Sequence, residues 1–464
     1  MTSPLPAYRR YTIATQFTPE VVPVPPRFRV QVTKYRLVAL AAQEILAARG
    51  DVRVALSRPC VYGVFGRPVG GLAPIEDLCV GCLRCMTEYP GVVKIQHNRE
   101  RERLLAPGYS VEEIDTILYE ARTGRVPVRG AGYRGPFGGT GWDGLWLDMS
   151  EIVRPTRDGI HGREYISTAV EIGERPPFLR FDAAGVLSGP LPRGRRIEVP
   201  FLLGAAPLGQ QAAPIQSLLV EAARRIQTLA LVPVESVVRL GLDASAVVAL
   251  VKPAELAWLD RLTGRPAIIE LDGWDRARHE ELTRRFPDSL IGVCLPLGAD
   301  LVPPVSEGAR IVRLRAQPSQ LDGWTALPDL IRRSHLALVE AGLRDELTLV
   351  GSGGITLSEH VPKALACGLD AVVLDAPLWV ALQARVERGA TNAADVRVAF
   401  PDLTAEWGIQ RLENLAASWR DQLLEILGAM GLREVRRLRG ELGRCLFQAD
   451  LERESFGGID GYPS

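Results

Sequence analysis

Three cysteines fall within seven residues in DLCVGCLRCMTEYP: Cys79, Cys82 and Cys85, spaced C-x2-C-x2-C. Three thiolates at that spacing can wrap three corners of a cubane iron–sulfur cluster, with the loop amides pointing at its sulfides. One cluster needs a fourth thiolate, and Cys60 in SRPCVYG is the nearest candidate. Cys60, Cys79, Cys82 and Cys85 are therefore expected to bind one [4Fe–4S] cluster. Four cysteines also suit structural zinc, although zinc sites usually come as two separated C-x2-C pairs. Of the remaining cysteines, Cys367 and Cys445 lie in apolar contexts and read as core residues. An odd total of seven, three of them clustered, suits metal binding in a reducing cytoplasm better than a disulfide framework.

A second stretch with chemical potential is LTLVGSGGI. Gly351, Ser352, Gly353 and Gly354 end an apolar run and precede a helical one. Glycines after such a strand let backbone come close to a ligand, and successive N–H groups can hold a phosphate. A tight structural turn accounts for the same residues. A glycine-rich segment at 129–146 carries Trp142 and Trp146 around Asp143, and His161 follows among charged residues. It reads as an ordered linker with solvated ion pairs, or as a lid. His335 lies on an amphipathic helical stretch and reads as a packed residue, and His97, His279 and His360 lack metal-ligand spacing.

These residues need a frame. From 199 onward, short apolar runs (VPFLLG, SVVRLGL, VVALV, AIIEL, LIGVCLPL, RIVRLR, LTLVGS, AVVLDA) alternate with helical or loop stretches. About eight strands alternating with helices imply parallel pairing, hence an α/β fold. The expected architecture is a TIM-like (β/α)8 barrel with trimmed helices, an N-terminal iron–sulfur and linker region, and a C-terminal helical tail. Helices are expected at 33–50, 111–123 and 411–430, from apolar residues at helical spacing. The domain boundaries follow: a proline-rich arm and helix (1–58), the iron–sulfur segment (59–100), a linker or lid (101–198), the barrel (199–395) and the tail (396–464).

Composition bounds the function classes. The 464 residues are 47% hydrophobic and 24% charged, with 55 basic against 55 acidic residues. These are ordinary globular values, which exclude wholesale disorder. Zero net charge gives no nucleic-acid tail and no polybasic membrane patch. Only four of the basic residues are lysines, and the arginine bias is spread along the whole chain. No apolar run reaches transmembrane length, and the amino terminus lacks a signal-peptide core, so a cytoplasmic location is expected.

The stretch 327–378 resembles the FMN-binding barrel of glutamate synthases. His335, Leu343-Arg344-Asp345, Gly353-Gly354, Ala364-Leu365 and Ala376-Pro377-Leu378 fall in that family's order and spacing. The run 199–209 is similar to its first strand, and 413–441 to the helical segment after the barrel. The cysteine motif resembles that of bacterial ferredoxins, with Tyr89 where the ligand of a second cluster would stand. The resemblance implies an oxidoreductase acting on CH–NH2 donors, with an iron–sulfur cluster relaying electrons to FMN and an amino or imino acid as substrate. It implies a flavin-phosphate site at Gly351, Ser352, Gly353, Gly354 and Asp375, and a partner: another redox subunit or a homo-oligomer. Three positions depart from the pattern. Cys294 stands where the family has a strand lysine, and Leu374-Asp375 where it has phosphate contacts. The alternative they raise is a barrel degenerate for FMN, serving as a non-catalytic electron-relay or structural subunit.

Overall fold

The computed structural model describes residues 11–51, 60–66, 72–100, 110–127, 141–150, 165–175, 181–188, 192–204, 212–316, 327–386 and 398–459. The chain divides into two compact units. One comprises Glu20–Tyr119 and Val126–Gly135, the other Met1–Pro19, Glu120–Arg125 and Pro136–Ser464. Among the described residues, no helix is long and apolar enough to cross a membrane.

The first unit contains the clustered cysteines. Strand β1 (Phe28–Val32) pairs antiparallel with β2 (Val93–His97), Phe28 opposite His97 and Val32 opposite Val93. Between them run helix α1 (Lys34–Ala47) and the short α2 (Arg84–Glu88). α1 stops where its sequence allows. Gly50 takes φ +88°, a conformation that suits glycine, and its N–H returns to the carbonyl of Ile45 at 2.8 Å. Helix α3 (Val111–Thr123) follows, its residues to Tyr119 in this unit and its last turn counted with the other, and it starts with a reciprocal cap. Ser110 Oγ accepts from the Glu113 N–H at 3.2 Å, and the Glu113 carboxylate accepts from the Ser110 N–H at 2.7 Å.

The second unit is built on the barrel. A strand β3 (Leu145–Leu147) and an antiparallel pair, β4 (Val170–Gly173) with β5 (Gly194–Ile197), precede it. The eight barrel strands are β6 (Phe201–Leu203), β7 (Ala230–Pro233), β8 (Val247–Val251), β9 (Ile268–Asp272), β10 (Leu290–Pro296), β11 (Ile311–Arg315), β12 (Thr348–Ser352) and β13 (Ala371–Leu374). They are hydrogen-bonded in chain order, and β13 closes on β6 in parallel register, Val372 opposite Phe201. Strands buried on both faces explain the continuous apolar runs. The trimmed helices are α4 (Ala212–Ile226), α5 (Val234–Leu240), α6 (Arg276–Arg285), α7 (Val302–Ser306), α8 (Leu327–Glu340), α9 (His360–Ala366) and α10 (Ala376–Ala381). Between β8 and β9 a 3-10 segment, Pro253–Arg261, replaces an α-helix.

One strand differs from expectation. SVVRLGL is not a strand: Val234–Leu240 is α5, bounded by Pro233 at its N-cap and by Gly241 in the left-handed region. The strand is the preceding ALVP, which is masked in sequence by the helical stripe running on through Leu229. α4 in fact stops at Ile226, and Gln227 turns the chain with φ +58°. Helix α11 (Ala405–Ala429) also starts earlier than its apolar stripe indicates, at an N-cap where Thr404 Oγ1 accepts from the Trp407 N–H.

The β4–β5 pair marks one end of the barrel. The Thr348 hydroxyl, at the first residue of β12, bonds both the N–H and the carbonyl of Gly173 at 3.1 and 2.9 Å. That is the N-terminal end of the strands, so the opposite, C-terminal end is where ligands bind in this architecture.

Candidate functional sites

In the first unit, each cysteine is placed by a local device. The carboxylate of Glu76 accepts from the Val30 N–H of β1 at 2.7 Å and from Arg29 at 3.2 Å. This pins the turn 76–78 that leads into Cys79, whose own N–H returns to the Glu76 carbonyl. Gly81 takes φ +67°, and a Cβ there would lie 2.3 Å from the Phe28 ring, so position 81 between Cys79 and Cys82 calls for glycine. Leu83, also left-handed, turns the chain into α2, which carries Cys85. Cys60 arrives from another direction. Its carbonyl accepts from the Gly63 N–H, and Val64 then ties that turn to Ile75 at 2.7 Å.

The four thiols line one small cavity of about 20 Å³, partly open to solvent, whose apolar wall includes Val30, Val64, Phe65 and Ile95. Cys79 and Cys85 are buried, Cys60 and Cys82 half-buried, and all four are free. Burial pushes the Cys79 and Cys85 thiols up, Cys85 to about 11, and the neighbouring sulfurs add to the rise. The Gly81 amide at Cys79 works in the opposite direction. Four thiolates gathered in an apolar wall repel one another unless cations are shared among them. Among the described residues, no three His, Cys, Asp or Glu side chains converge on the position of a single ion. Four thiols on one cavity are a donor set that fits a multi-iron cluster.

In the barrel unit, the Gly353 and Gly354 φ angles are +86° and +75°. Packing also requires the glycines: a Cβ on Gly351 would lie 2.4 Å from Leu369 Cδ1, and one on Gly353 would lie 3.0 Å from Ala316 Cβ. Trp142 is fully buried; its indole N–H donates to the Gly354 carbonyl at 2.9 Å, and its own carbonyl accepts from Lys363 Nζ at 2.7 Å. Trp142 is thus a support for the turn after β12, whereas Trp146 is half exposed on β3. The residues 128–140 and 151–164, with His161, lie outside the described residues, as do 205–211 and 317–326. The N–H groups of Thr356 and Leu357 donate to His360 Nδ1 at 3.0 and 3.3 Å, which gives His360 a local structural task.

Asp375 has a hydrogen-bonded, buried carboxylate. It caps α10, accepting from the Ala376 N–H at 2.7 Å, and burial raises its carboxyl above the usual range. Cys294 is buried in β10, and burial pushes its thiol up to about 11.

Sequence reading misses two residues here. Arg313 of β11 and Glu270 of β9 are buried and form a multiply hydrogen-bonded pair with contacts of 2.6–3.1 Å; Arg313 Nη1 also donates to Ser352 Oγ at 2.8 Å. One rung outward, Arg315 and Asp272 pair at 3.1 Å and are half exposed. Two charges at i and i+2 inside each apolar run are the available signal, since alternate residues share a face. The Ser352 hydroxyl in turn donates to the Leu314 carbonyl at 3.1 Å, so the ion pair and the hydroxyl form a closed network beside the left-handed glycine turn. The indole N–H of Trp379 in α10 is also buried, with no hydrogen-bond partner among the described residues.

No family model matches the chain. It is 25% identical over 437 residues to the archaeal-type glutamate synthase (NADPH) of Dehalococcoides mccartyi, spanning 78% of this chain and 85% of that enzyme. The archaeal glutamate synthase (NADPH) of Archaeoglobus fulgidus is 25% identical over 82% of this chain and 89% of its own length. That of Methanocaldococcus jannaschii is 39% identical over a shorter stretch of 114 residues, 23% of this chain and 22% of the enzyme. Among solved structures, a mandelate oxidase variant superposes with a TM-score of 0.44 at 18% identity, covering 74% of this chain and 96% of that one. Over most of its length, then, this chain is glutamate synthase-like, similar to the enzymes of the archaeal type.

Proposed function

We propose that the chain is an oxidoreductase of the glutamate synthase-like class, in which one [4Fe–4S] cluster relays electrons to a flavin of the FMN type at the barrel's C-terminal end. Cys60, Cys79, Cys82 and Cys85 hold the cluster. Gly351, Ser352, Gly353 and Gly354 border the flavin site, and the substrate is an amino or imino acid. The observation that carries the reading is the convergence of four thiols on one cavity, although Cys60 lies well ahead of the other three in sequence. The cluster supplies one-electron relay and the flavin supplies hydride chemistry. The chain's own residues exclude water from the cluster wall, orient the thiols and set the charge at the barrel mouth. Similarity to archaeal-type glutamate synthases over most of the chain favours an active redox site over a barrel degenerate for flavin. The electrons come from a second redox subunit or another copy of the chain, in the reducing cytoplasm that the free thiols suit.

Protein purified anaerobically is expected to carry about four irons and four sulfides per chain, a broad brown absorbance from the cluster and resolved flavin bands. Cys82→Ser and Cys60→Ser each remove the brown absorbance and leave the flavin bands. Colourless protein with stoichiometric zinc would contradict the reading.

A further inference from the structure

Two further cysteines meet in the barrel unit, away from the cluster cavity. Cys367 is fully buried at the C-terminal end of α9, where its N–H donates to the Lys363 carbonyl at 3.0 Å. Cys445 opens a short strand, β14 (Cys445–Phe447), which pairs antiparallel with β3, Cys445 opposite Leu147. The two thiols are free and hydrogen-bond to each other, although they are far apart in the chain. Their backbones are anchored on both sides. The Gly440 N–H donates to the Leu365 carbonyl of α9 at 3.0 Å, the Asp148 N–H to the Arg444 carbonyl at 2.8 Å, and the Gln448 N–H to the Gly144 carbonyl at 2.8 Å. Sulfurs in hydrogen-bond contact on anchored backbones are placed for bond formation by side-chain rotation.

The two thiols are unequal. Cys445 is half-buried and Cys367 buried. The hydrogen bond from Cys367 lowers the Cys445 thiol below its usual value; burial opposes this and the Arg332 guanidinium supports it. The same hydrogen bond, and then burial, push Cys367 up. Arg332 is itself fixed beside β14, 3.9 Å over the Phe447 ring and 2.6 Å from Asp450. A half-exposed thiolate beside a cation is the attacking partner, and a buried neutral thiol is the resolving one. Their position also matters. α9 carries Lys363, which holds the Trp142 carbonyl; Trp142 supports the Gly354 turn and stands just ahead of β3. A bond from Cys367 to Cys445 closes a covalent loop around that support.

We propose that Cys367 and Cys445 are a redox-active dithiol, which a low-molecular-weight disulfide converts to an internal disulfide that staples the β3–β14 pair to α9. The Cys445 thiolate attacks one sulfur of the reagent; a mixed disulfide forms and one thiolate leaves. Cys367 then attacks Cys445 Sγ, the bond between the two cysteines forms and the second thiolate leaves. The protons of the two cysteines end on the two released thiols, and two electrons pass from the pair to the reagent. The site depends on neither the cluster nor the flavin.

The test treats the anaerobically purified full chain with oxidised glutathione, alkylates the remaining thiols with iodoacetamide and maps tryptic peptides by mass. Cys367 lies in peptide 364–385 and Cys445 in peptide 445–453, and the other five cysteines lie elsewhere. Wild type should yield these two peptides linked, and dithiothreitol should separate them. Cys367→Ser should stop with glutathione on Cys445, and Cys445→Ser should leave Cys367 reduced. The barrel's thermal transition should rise by about 5 °C on oxidation of wild type, because the bond closes a long loop, and should not move in either variant. Both cysteines alkylated in unlinked peptides of the treated wild type would overturn the proposal, whether or not the variants fold. Glutathione on Cys367 in Cys445→Ser would overturn the order of attack, and linked peptides with an unmoved transition would overturn the staple.

Discussion

At the scale of single residues, two of the positions that carry the resemblance, His335 and Arg344, belong to a buried polar knot. The Arg344 guanidinium donates to His335 Nδ1 at 3.1 Å, to the Gly368 carbonyl at 2.6 Å and to Asp370 at 2.9 Å. Asp370 also pairs with Arg175 at 2.7 Å and with Arg439 at 3.5 Å. Burial alone would raise its carboxyl, but Arg344, Arg175 and Arg439 outweigh burial and hold it below the usual range. His335 is buried against Gly368 and Gly440, where any Cβ would collide with its ring. Burial, then Arg344 and Arg439, lowers its pKa to about 4. The neutral imidazole is therefore the folded form. An unfolded chain takes up this proton near the ordinary histidine value of about 6.5, while the folded chain resists until about 4. The unfolded state binds more protons across that window, so stability is lost as pH falls from about 6.5 to 4. Urea midpoints measured at intervals across this range should decline less steeply in His335→Gln than in wild type. Equal slopes would show that His335 is not the group responsible.

At the scale of elements, the turn between β12 and α9 shows how a loop is given a shape. Gly353 and Gly354 supply the left-handed backbone, Trp142 closes over the Gly354 carbonyl, and Lys363 holds Trp142. The Trp142 ring also stacks on His360, with centroids 5.4 Å apart. Trp142→Phe keeps the apolar bulk and removes the indole donor, leaving a buried carbonyl unanswered at a cost of about 1–3 kcal/mol. Chemical unfolding should show that loss. FMN affinity should fall too, because the same turn borders the proposed flavin site. A variant with reduced stability and unchanged FMN affinity would separate the turn from the site.

At the scale of the whole molecule, the two units have unequal resources. The barrel unit has a large apolar core. The core of the first unit is a small group of buried residues that includes Cys79 and Cys85 themselves, among Phe28, Val30, Val64, Phe65, Val92 and Val93. A core of that size leaves little margin, and ligands gathered around a cluster turn binding energy into folding energy. Removing the proposed cluster by oxidation and chelation should therefore lower or abolish the first of two thermal transitions and leave the barrel's transition near its original temperature. A single transition that moves as one would show that the units unfold together.

Local signals are legible in the amino-acid sequence itself. The C-x2-C-x2-C motif, the alternation of apolar runs with helices, the capped α3 and the glycine stop after α1 each depend on neighbours a few residues away, so spacing alone reveals them. The boundary between α4 and β7 is not legible, because apolar residues continue across it and only Gln227 and the Pro233 and Gly241 punctuation mark the change. Proximity in sequence nominates Cys60 only as the nearest thiol; the β1–β2 pairing and the 60–64 turn bring it to the cavity with the other three. The Glu270–Arg313–Ser352 constellation belongs to the tertiary structure entirely. Its members are far apart in the chain, and closure of the barrel sets β9, β11 and β12 within reach of one guanidinium. A charge inside an apolar strand is a puzzle in sequence, because its partner is chosen by register and closure, which no local spacing encodes.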